Sequence, residues 1–370
     1  MSSDQPPTPD GETASRGAVT PGPSRGTLRL TPDCNNHCVF CAQDATSPLP
    51  VDFGEQLEAL RREHEELTLI GGEPTLLPNL HEIVAQARRV GFSRIGVQTN
   101  GRRLCDAAYA GDLARAGLTD VHLSLHGATA EVHDYHTGVS GSYDGILGAM
   151  RSTRSFGLTL VAATVVTRSN FRVLAGFPDL LAACEVSAWL LVMPHAVGAG
   201  YEAFDRVVPR LALVAPFLLQ AASLARTRRV PTWIRGAPHC LLGPFSRWTL
   251  ERERRDFGAR CASCQARATC SGVDASYLER FGDGELLPLG ELAGAPSPDS
   301  SPLSRLFVGT GPMRALPLGS PGLGPAALHR ALPMLGKVRP GLQEASRGTP
   351  KRTGDELRQI LPQLFSEGDD

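Results

Sequence analysis

Short apolar runs alternate with longer segments of helical pattern from residue 27 to about residue 226. Each run has the length of a strand, and each intervening segment is long enough for a helix that crosses back over a sheet. Six such units in succession predict an α/β fold with a parallel sheet, either a barrel or part of one, or an open doubly wound sheet. The predicted strands are 27–31, 67–70, 94–98, 119–125, 158–166 and 187–193, and the predicted helices are about 54–65, 79–90, 106–116, 143–156, 171–184 and 204–226.

Three cysteines, Cys34, Cys38 and Cys41, lie close together directly after the first predicted strand. A loop at a strand end can bring three such thiolates together on one inorganic cluster. Three protein ligands leave one iron of a 4Fe–4S cluster open, whereas an electron-transfer cluster usually has four. Zinc sites normally have four ligands in two pairs, so the triplet favours a cluster over a zinc knuckle or a chance grouping.

Polar or glycine-rich turns follow the next strands. Gly71, Gly72 and Glu73 come after the second strand, and two glycines allow the backbone to turn sharply and approach a ligand closely. Thr99 directly follows the third predicted strand, and Ser124 lies near the end of the fourth. In a parallel barrel the carboxyl ends of the strands carry the chemistry, so these turns are predicted to meet at one rim.

The C-x3-C-x2-C spacing, with Phe40 before the last cysteine and Gly-Gly-Glu-Pro one strand later, resembles the signature of the radical S-adenosylmethionine (SAM) superfamily. The resemblance implies a partial (β/α)6 TIM-type barrel. It also implies a 4Fe–4S cluster held by Cys34, Cys38 and Cys41, with SAM chelated to the open iron. In that family, reductive cleavage of SAM yields a 5′-deoxyadenosyl radical that abstracts a substrate hydrogen.

The same resemblance implies a set of SAM-binding residues. The turn of Gly71, Gly72 and Glu73 would hold the SAM ammonium, Thr99 and Ser124 the methionine part, and Met193 the adenine. Met193 could instead simply fill the core. His126, which is not part of this set, either lines the substrate side of the pocket or caps its strand. Residues 131–144 are predicted to be a polar loop without a second metal, since no ligand-spacing template fits.

A second set of cysteines lies beyond the barrel, at Cys240, Cys261, Cys264 and Cys270. Four sulfurs can complete a zinc site or saturate a 4Fe–4S cluster. The spacing resembles the SPASM or twitch extension of radical SAM enzymes and implies one auxiliary cluster, with zinc as the alternative. The SPASM pattern continues with a cysteine where this chain has Asp274, which excludes the two-cluster form. Cys105 and Cys184 are predicted to be buried small hydrophobic residues.

Changes in composition divide the chain into predicted parts. The first residues are rich in Pro, Ser, Gly and Thr, which is typical of a disordered leader. Proline and glycine dominate again after residue 290, and a capping box begins at Thr353. The parts are a leader at 1–26, the barrel at 27–228, the auxiliary-cluster extension at 229–290, a Pro/Gly-rich linker at 291–352, and a short amphipathic terminal helix with its tail at 353–370.

Charge and hydropathy exclude several classes of partner. The 370-residue chain has a net charge of −1, so no positive field attracts nucleic acid. No run approaches the roughly 18 apolar residues needed to cross a bilayer. Nine cysteines without an export signal indicate a reducing compartment, where thiols bind metals more often than they form disulfides. We therefore expect a cytoplasmic protein with no nucleic-acid or membrane partner.

The resemblance implies radical chemistry but does not identify the substrate. SPASM and twitch enzymes commonly modify peptides, so a peptide or protein side chain is the expected target, as in natural-product maturation. A small-molecule cofactor precursor of the molybdopterin type is the alternative. A non-catalytic scaffold or sensor that binds SAM and the cluster is the alternative from another class. A flavodoxin- or ferredoxin-type electron donor is the implied partner.

Overall fold

Seven parallel strands form one curved sheet in which each strand pairs with its neighbours in chain order. The predicted partial (β/α)6 TIM-type barrel is confirmed, with one strand more than the sequence predicts. The computed structural model describes residues 24–42, 52–250, 255–290, 301 and 303–307. The strands are β1 (Arg25–Arg29), β2 (Glu66–Ile70), β3 (Arg94–Thr99), β4 (Asp120–Ser124), β5 (Thr159–Val165), β6 (Ala188–Val192) and β7 (Thr232–Arg235).

Helices connect successive strands, as parallel pairing requires. Asp52 and Asp106 each accept hydrogen bonds from N–H groups in the first turn of the helix that follows, which is the usual N-cap interaction. No helix among the described residues is long and apolar enough to span a membrane. The helices are α1 (Phe53–Glu63), α2 (Leu80–Val90), α3 (Ala107–Ala116), α4 (Ala130–Thr137), α5 (Ser142–Ser155), α6 (Phe177–Ala183), α7 (Ala199–Glu202), α8 (Phe204–Val207), α9 (Leu211–Thr227), α10 (His239–Leu242) and α11 (Ala275–Phe281).

The prediction of a polar loop over residues 131–144 is wrong. Residues Ala130–Thr137 form α4, which ends at Gly138 in the left-handed conformation, with φ of 68°. The Asp134 carboxylate accepts hydrogen bonds from Gly141 N, Tyr143 N and the Ser142 hydroxyl, and so joins α4 to the start of α5. The polar residues that made this segment resemble a loop are therefore caps between two helices.

Other boundaries differ for local reasons. The sequence does not predict β7, because four residues between Pro231 and Gly236 are too few for a periodic pattern. The helix predicted at 204–226 is divided into α8 and α9 around Pro209, whose ring lacks the N–H that a continuous helix needs. The predicted leader up to residue 23, most of the linker and the terminal helix lie outside the described residues.

The side of the barrel interior formed by β1 to β4 is polar near the amino ends of the strands. The buried Arg25 guanidinium contacts Glu66 at 3.0 Å and also contacts Asp120. His122 Nε2 lies 2.6 Å from the same Asp120 carboxylate. Burial alone would raise the pKa of Asp120, but the His122 hydrogen bond and the Arg25 charge hold that pKa below its usual value. These groups join β1 to β4 across the interior.

The opposite side of the interior is apolar and is filled by a segment from beyond the extension. Phe307 packs against Trp233 with ring centroids 5.9 Å apart, and its carbonyl accepts a hydrogen bond from Arg235 Nη2 at 2.7 Å. Because Leu190 and Val192 belong to this cluster and also line a cavity at the carboxyl ends of the strands, the cluster forms the floor of that cavity. The buried members are Val161, Ala188, Leu190, Val192, Trp233, Leu306 and Phe307.

Gly96 on β3 provides the first test, because it lies between the groups of the buried ionic network. A methyl group at Gly96 would lie 2.1 Å from Asp120 Oδ2 and 2.3 Å from Arg25 Nη2. We expect Gly96→Ala to separate this ion pair and to lower the free energy of unfolding by about 3 kcal/mol or more, as measured by urea denaturation. Gly145→Ala in α5 is the control, since its nearest neighbour would be 3.5 Å away. Equal stability of the two variants would contradict this account of the network.

Candidate active site

A cavity of about 1060 Å³ opens where the strands end, at the rim predicted to carry the chemistry. The structure brings most of the predicted site residues into its walls. Asn36, Gln98 and Asn100, which the sequence analysis did not single out, also line it. The predicted residues in the walls are Cys34, Cys38, Cys41, Gly71, Gly72, Thr99, Ser124, His126 and Met193.

The loop of the cysteine triplet is attached to the glycine-rich turn after β2 through backbone groups. Gly72 N donates to Thr31 O at 2.7 Å, and Glu73 N donates to Asp33 O at 2.7 Å. A Cβ atom at Gly72 would lie 2.2 Å from Asp33 O, so only glycine permits this approach. The Gly-Gly pair therefore lets the turn after β2 pack against the loop that carries the first cysteine. Its binding of SAM remains a prediction.

Among the residues predicted to bind the first cluster and SAM, Glu73 is the one that does not line this cavity. Its Oε1 accepts hydrogen bonds from the Thr75 N–H at 3.0 Å and from the Thr75 and Thr99 hydroxyls, both at 2.6 Å. Its Oε2 accepts one from Asn100 N at 2.7 Å. Burial raises the pKa of Glu73, and these donors act in the opposite direction. The carboxylate thus links the turns after β2 and β3.

The three thiols of the triplet are close enough to influence one another. Burial, followed by the charges of Cys41 and Cys34, raises the pKa of Cys38 to about 12. Burial is also the main cause of a raised pKa at Cys34. No group of three or more His, Cys, Asp or Glu side chains that could hold a single metal ion was found in the described parts of the chain. A 4Fe–4S cluster fits three thiols on one wall that must each lose a proton to become ligands.

Three histidines pack beside this loop, and His126 is both a wall residue and a cap. Its Nδ1 accepts a hydrogen bond from Val165 N at 3.3 Å, and its ring meets Phe40 edge-on at 4.6 Å. Both interpretations of His126 from the sequence therefore hold in one position. Burial, with the charges of His133 and His136, lowers the pKa of His126 well below its usual value. Burial also lowers the pKa of His133 to about 4 and that of His136.

Thr99, Ser124 and Met193, the other predicted contacts of SAM, differ in how far they are exposed to the cavity. The Thr99 hydroxyl is already engaged by Glu73, whereas Ser124 is partly exposed to the cavity. Met193 is only 3% exposed and belongs to the main core as well as the wall. The side-chain amide of Asn170 donates hydrogen bonds to His126 O at 3.1 Å and to Val165 O at 2.9 Å, at the ends of β4 and β5.

The second cysteine set surrounds its own cavity of about 370 Å³. Cys240, Cys261, Cys264 and Cys270 all line it, together with apolar residues such as Leu286. Burial, followed by the charges of the other three cysteines, raises the pKa of Cys240. The donor set is all sulfur, which fits a 4Fe–4S cluster or a zinc ion.

Asp274, Cys105 and Cys184 were also considered in the sequence analysis, and the structure shows where each lies. Asp274, where the SPASM pattern has a cysteine, caps α11 and lies 3.2 Å from His195 Nε2. The prediction that Cys105 and Cys184 are buried is wrong, because Cys105 is exposed and Cys184 half-buried. The prediction assumed that both cysteines lie within helices. Cys105 in fact precedes α3, and Cys184 caps the end of α6.

Comparisons with known proteins match the barrel part of the chain. Residues 28–171 match the family model of the Radical SAM superfamily. A relative from Sulfolobus acidocaldarius described as "Probable GTP 3',8-cyclase" is 32% identical over 184 residues, covering 48% of this chain and 58% of the relative. A protein of the same description from Saccharolobus solfataricus is 30% identical over 193 residues, covering 48% and 59%. The chain thus spans less than two thirds of the curated relatives it matches.

Solved structures that match parts of this chain have lower sequence identity. Streptococcus suis SuiB bound to precursor peptide SuiA gives a TM-score of 0.48 at 14% identity, covering 60% of this chain and 51% of that one. Native anSMEcpe with bound AdoMet and Cp18Cys peptide gives 0.46 at 17% identity, covering 57% and 63%.

The low pKa of His133 predicts a dependence of stability on pH. Because the folded-state pKa of about 4 lies below the usual 6.5, the unfolded chain binds the proton first as the pH falls. The free energy of unfolding should therefore decrease by about 2 kcal/mol between about pH 7 and pH 5 from this residue. Urea denaturation at both pH values should show a smaller decrease in His133→Gln.

The control for this measurement is His81→Gln, which replaces an exposed histidine on α2. The decrease in the free energy of unfolding between the two pH values should be larger in His81→Gln than in His133→Gln. An unchanged pH dependence in His133→Gln would contradict the assignment.

Proposed function

We propose that this chain is a member of the radical SAM superfamily, an enzyme that cleaves SAM reductively and uses the resulting radical to abstract hydrogen from a substrate. The observation that supports this most is that Cys34, Cys38 and Cys41 share one cavity wall with the Gly-Gly turn. A zinc knuckle normally has four ligands in two pairs and does not require a glycine turn of this kind beside them. The non-catalytic scaffold is the alternative that the SAM-cleavage assay below separates.

In this proposal the chain's residues hold and orient two cofactors. Cys34, Cys38 and Cys41 would lose their thiol protons and ligate a 4Fe–4S cluster, while the backbone of Gly71 and Gly72 would face SAM. When bound, such a cluster would supply the electron for cleavage of the bond between the SAM sulfur and C5′. The hydrogen bonds of Glu73 to Thr75, Thr99 and Asn100 would keep this turn in place. Glu73 also remains the proposed partner of the SAM ammonium. Thr99, Ser124 and Met193 remain the proposed contacts for the rest of SAM.

The apolar side of the cavity would protect the radical. Ala163, Val165, Leu190, Val192 and Met193 line it on β5, β6 and the residue after β6. Such walls offer no polar group to bind water near the reacting carbon. An external flavodoxin- or ferredoxin-type donor would supply the electron, and the free thiols suit a reducing, cytoplasmic setting.

We propose a peptide or protein side chain as the substrate, in preference to a nucleotide. No lysine or arginine lines the cavity among the described residues, whereas a triphosphate usually requires such cations. The descriptions of the curated relatives favour the second candidate, a small-molecule reaction of the GTP 3′,8-cyclase type. The two are distinguished by which compound increases 5′-deoxyadenosine formation, GTP or a peptide.

SAM cleavage provides the direct test of the proposed function. Cys38→Ala should reduce 5′-deoxyadenosine formation by more than about 100-fold, since loss of a ligand costs more than the 10–100-fold typical of outer partners. The assay is anaerobic, with dithionite as reductant and chromatographic detection of 5′-deoxyadenosine and methionine. Cys105→Ala, at an exposed cysteine outside both sets, should retain activity.

Two results would contradict the proposal. Unmodified, iron-loaded protein that binds SAM without forming 5′-deoxyadenosine would favour the scaffold. Stimulation of SAM cleavage by GTP, with none by peptides, would overturn the proposed substrate class.

The auxiliary site is proposed to hold a second 4Fe–4S cluster, with zinc as the alternative. Reconstituted protein should contain about eight irons per chain, and Cys264→Ser should retain only about four. Iron, sulfide and zinc analysis measures this, with Cys184→Ser as the control that should keep both clusters. About four irons with one zinc in the unmodified protein would favour the zinc site.

A further inference from the structure

The loop that carries Cys34 is held by two residues that follow β3, Asn100 and Arg102. Arg102 Nη1 donates a hydrogen bond to the carbonyl of Asn35 at 2.6 Å. Asn100 Nδ2 donates to the side-chain oxygen of the same Asn35 at 2.7 Å. Asn100 Oδ1 in turn accepts from the Arg102 N–H at 3.0 Å. The residue next to the first cysteine is thus fixed at both its backbone and its side chain.

This attachment continues into the buried part of the barrel. Asn100 is 8% exposed, and its N–H donates to Glu73 Oε2 at 2.7 Å. Glu73 is 1% exposed and also binds Thr99. Arg102 is therefore the outermost member of a chain of hydrogen bonds that runs from the turn after β2, through the turn after β3, to the cysteine loop.

Arg102 also brings a permanent positive charge to the loop. Its guanidinium contacts the peptide group of the residue that follows Cys34. A cation beside a cluster favours the reduced state, which carries one more negative charge, and hydrogen bonds near the ligands act in the same direction.

We propose that Arg102 is a positioning residue for the cluster of the triplet: it fixes the Cys34 loop and raises the reduction potential of the bound cluster. This inference rests on the proposed function, because it requires a 4Fe–4S cluster at Cys34, Cys38 and Cys41. Neither the cysteine spacing nor the Gly-Gly-Glu turn indicates such a role. Arg102 follows an Asn-Gly pair that from sequence alone marks only a turn.

Arg103 provides a matched control at the neighbouring position. It carries the same charge and also donates to a backbone carbonyl, that of Thr75, at 2.6 Å. Its guanidinium lies 4.5 Å from the centre of the Tyr109 ring. Thr75 belongs to the turn after Glu73, so Arg103 makes an equivalent contact away from the cysteine loop.

The test is a redox titration of the anaerobically reconstituted protein, followed by electron paramagnetic resonance (EPR) of the reduced cluster. Arg102→Gln should lower the equilibrium constant for reduction by about fivefold, which is about 40 mV at 59 mV per tenfold for one electron. Arg103→Gln should leave the potential unchanged. Arg102→Lys, which keeps the charge, should recover most of the difference. The difference should become smaller at high salt, since Arg102 is partly exposed.

Each result decides the matter. A wild-type potential in Arg102→Gln, or an equal decrease in Arg103→Gln, overturns the role of Arg102. If Arg102→Gln is folded but loses iron while Arg102→Lys and Arg103→Gln load fully, the positioning role is supported directly. Loss of iron in both Arg102→Gln and Arg103→Gln overturns it. Absence of any cluster at the triplet in unmodified protein would refute the proposed function itself, which is a separate and recognisable outcome.

Discussion

The Glu73 carboxylate, with its four hydrogen-bond donors, is the interaction on which the geometry of the rim depends. Its partners Thr75, Thr99 and Asn100 belong to the turns after two neighbouring strands. A buried carboxylate that is fully hydrogen-bonded fixes its surroundings, because removal of the acceptor would leave buried donors unpaired. The cysteine loop is attached to both turns, by backbone bonds at Gly72 and Glu73 and by side-chain bonds from Asn100 and Arg102. The position of Cys34 thus depends on hydrogen bonds to its two neighbours in the chain, Asp33 and Asn35.

The cavity above this rim exists because the lower part of the barrel is filled in two different ways. On one side an ionic network joins β1 to β4 at the level of Gly96, and on the other Leu306 and Phe307 complete an apolar floor. In a fully closed barrel, side chains from the strands alone fill the interior in layers. Here a segment from beyond the extension supplies part of one layer.

The sequence predicts those parts of the site whose residues are close together in the chain. The cysteine triplet and the Gly-Gly-Glu turn are local patterns, and the alternation of strands and helices places them at one rim. The contact between Arg25 and Asp120 spans 95 positions, and the contact between Arg235 and Phe307 spans 72. No local pattern indicates such pairs. The same holds for β7, which is stabilised by pairing with β6 and not by any periodicity of its own.

The central claim is that SAM binds to an open iron of a cluster held by the three cysteines. The most direct measurement is the EPR spectrum of the reduced cluster, before and after SAM is added, in protein whose auxiliary site has been removed by substitution of Cys264. The account predicts a four-iron signal that changes its line shape on addition of SAM. A four-iron signal that SAM leaves unchanged, or no four-iron signal at all, would contradict it.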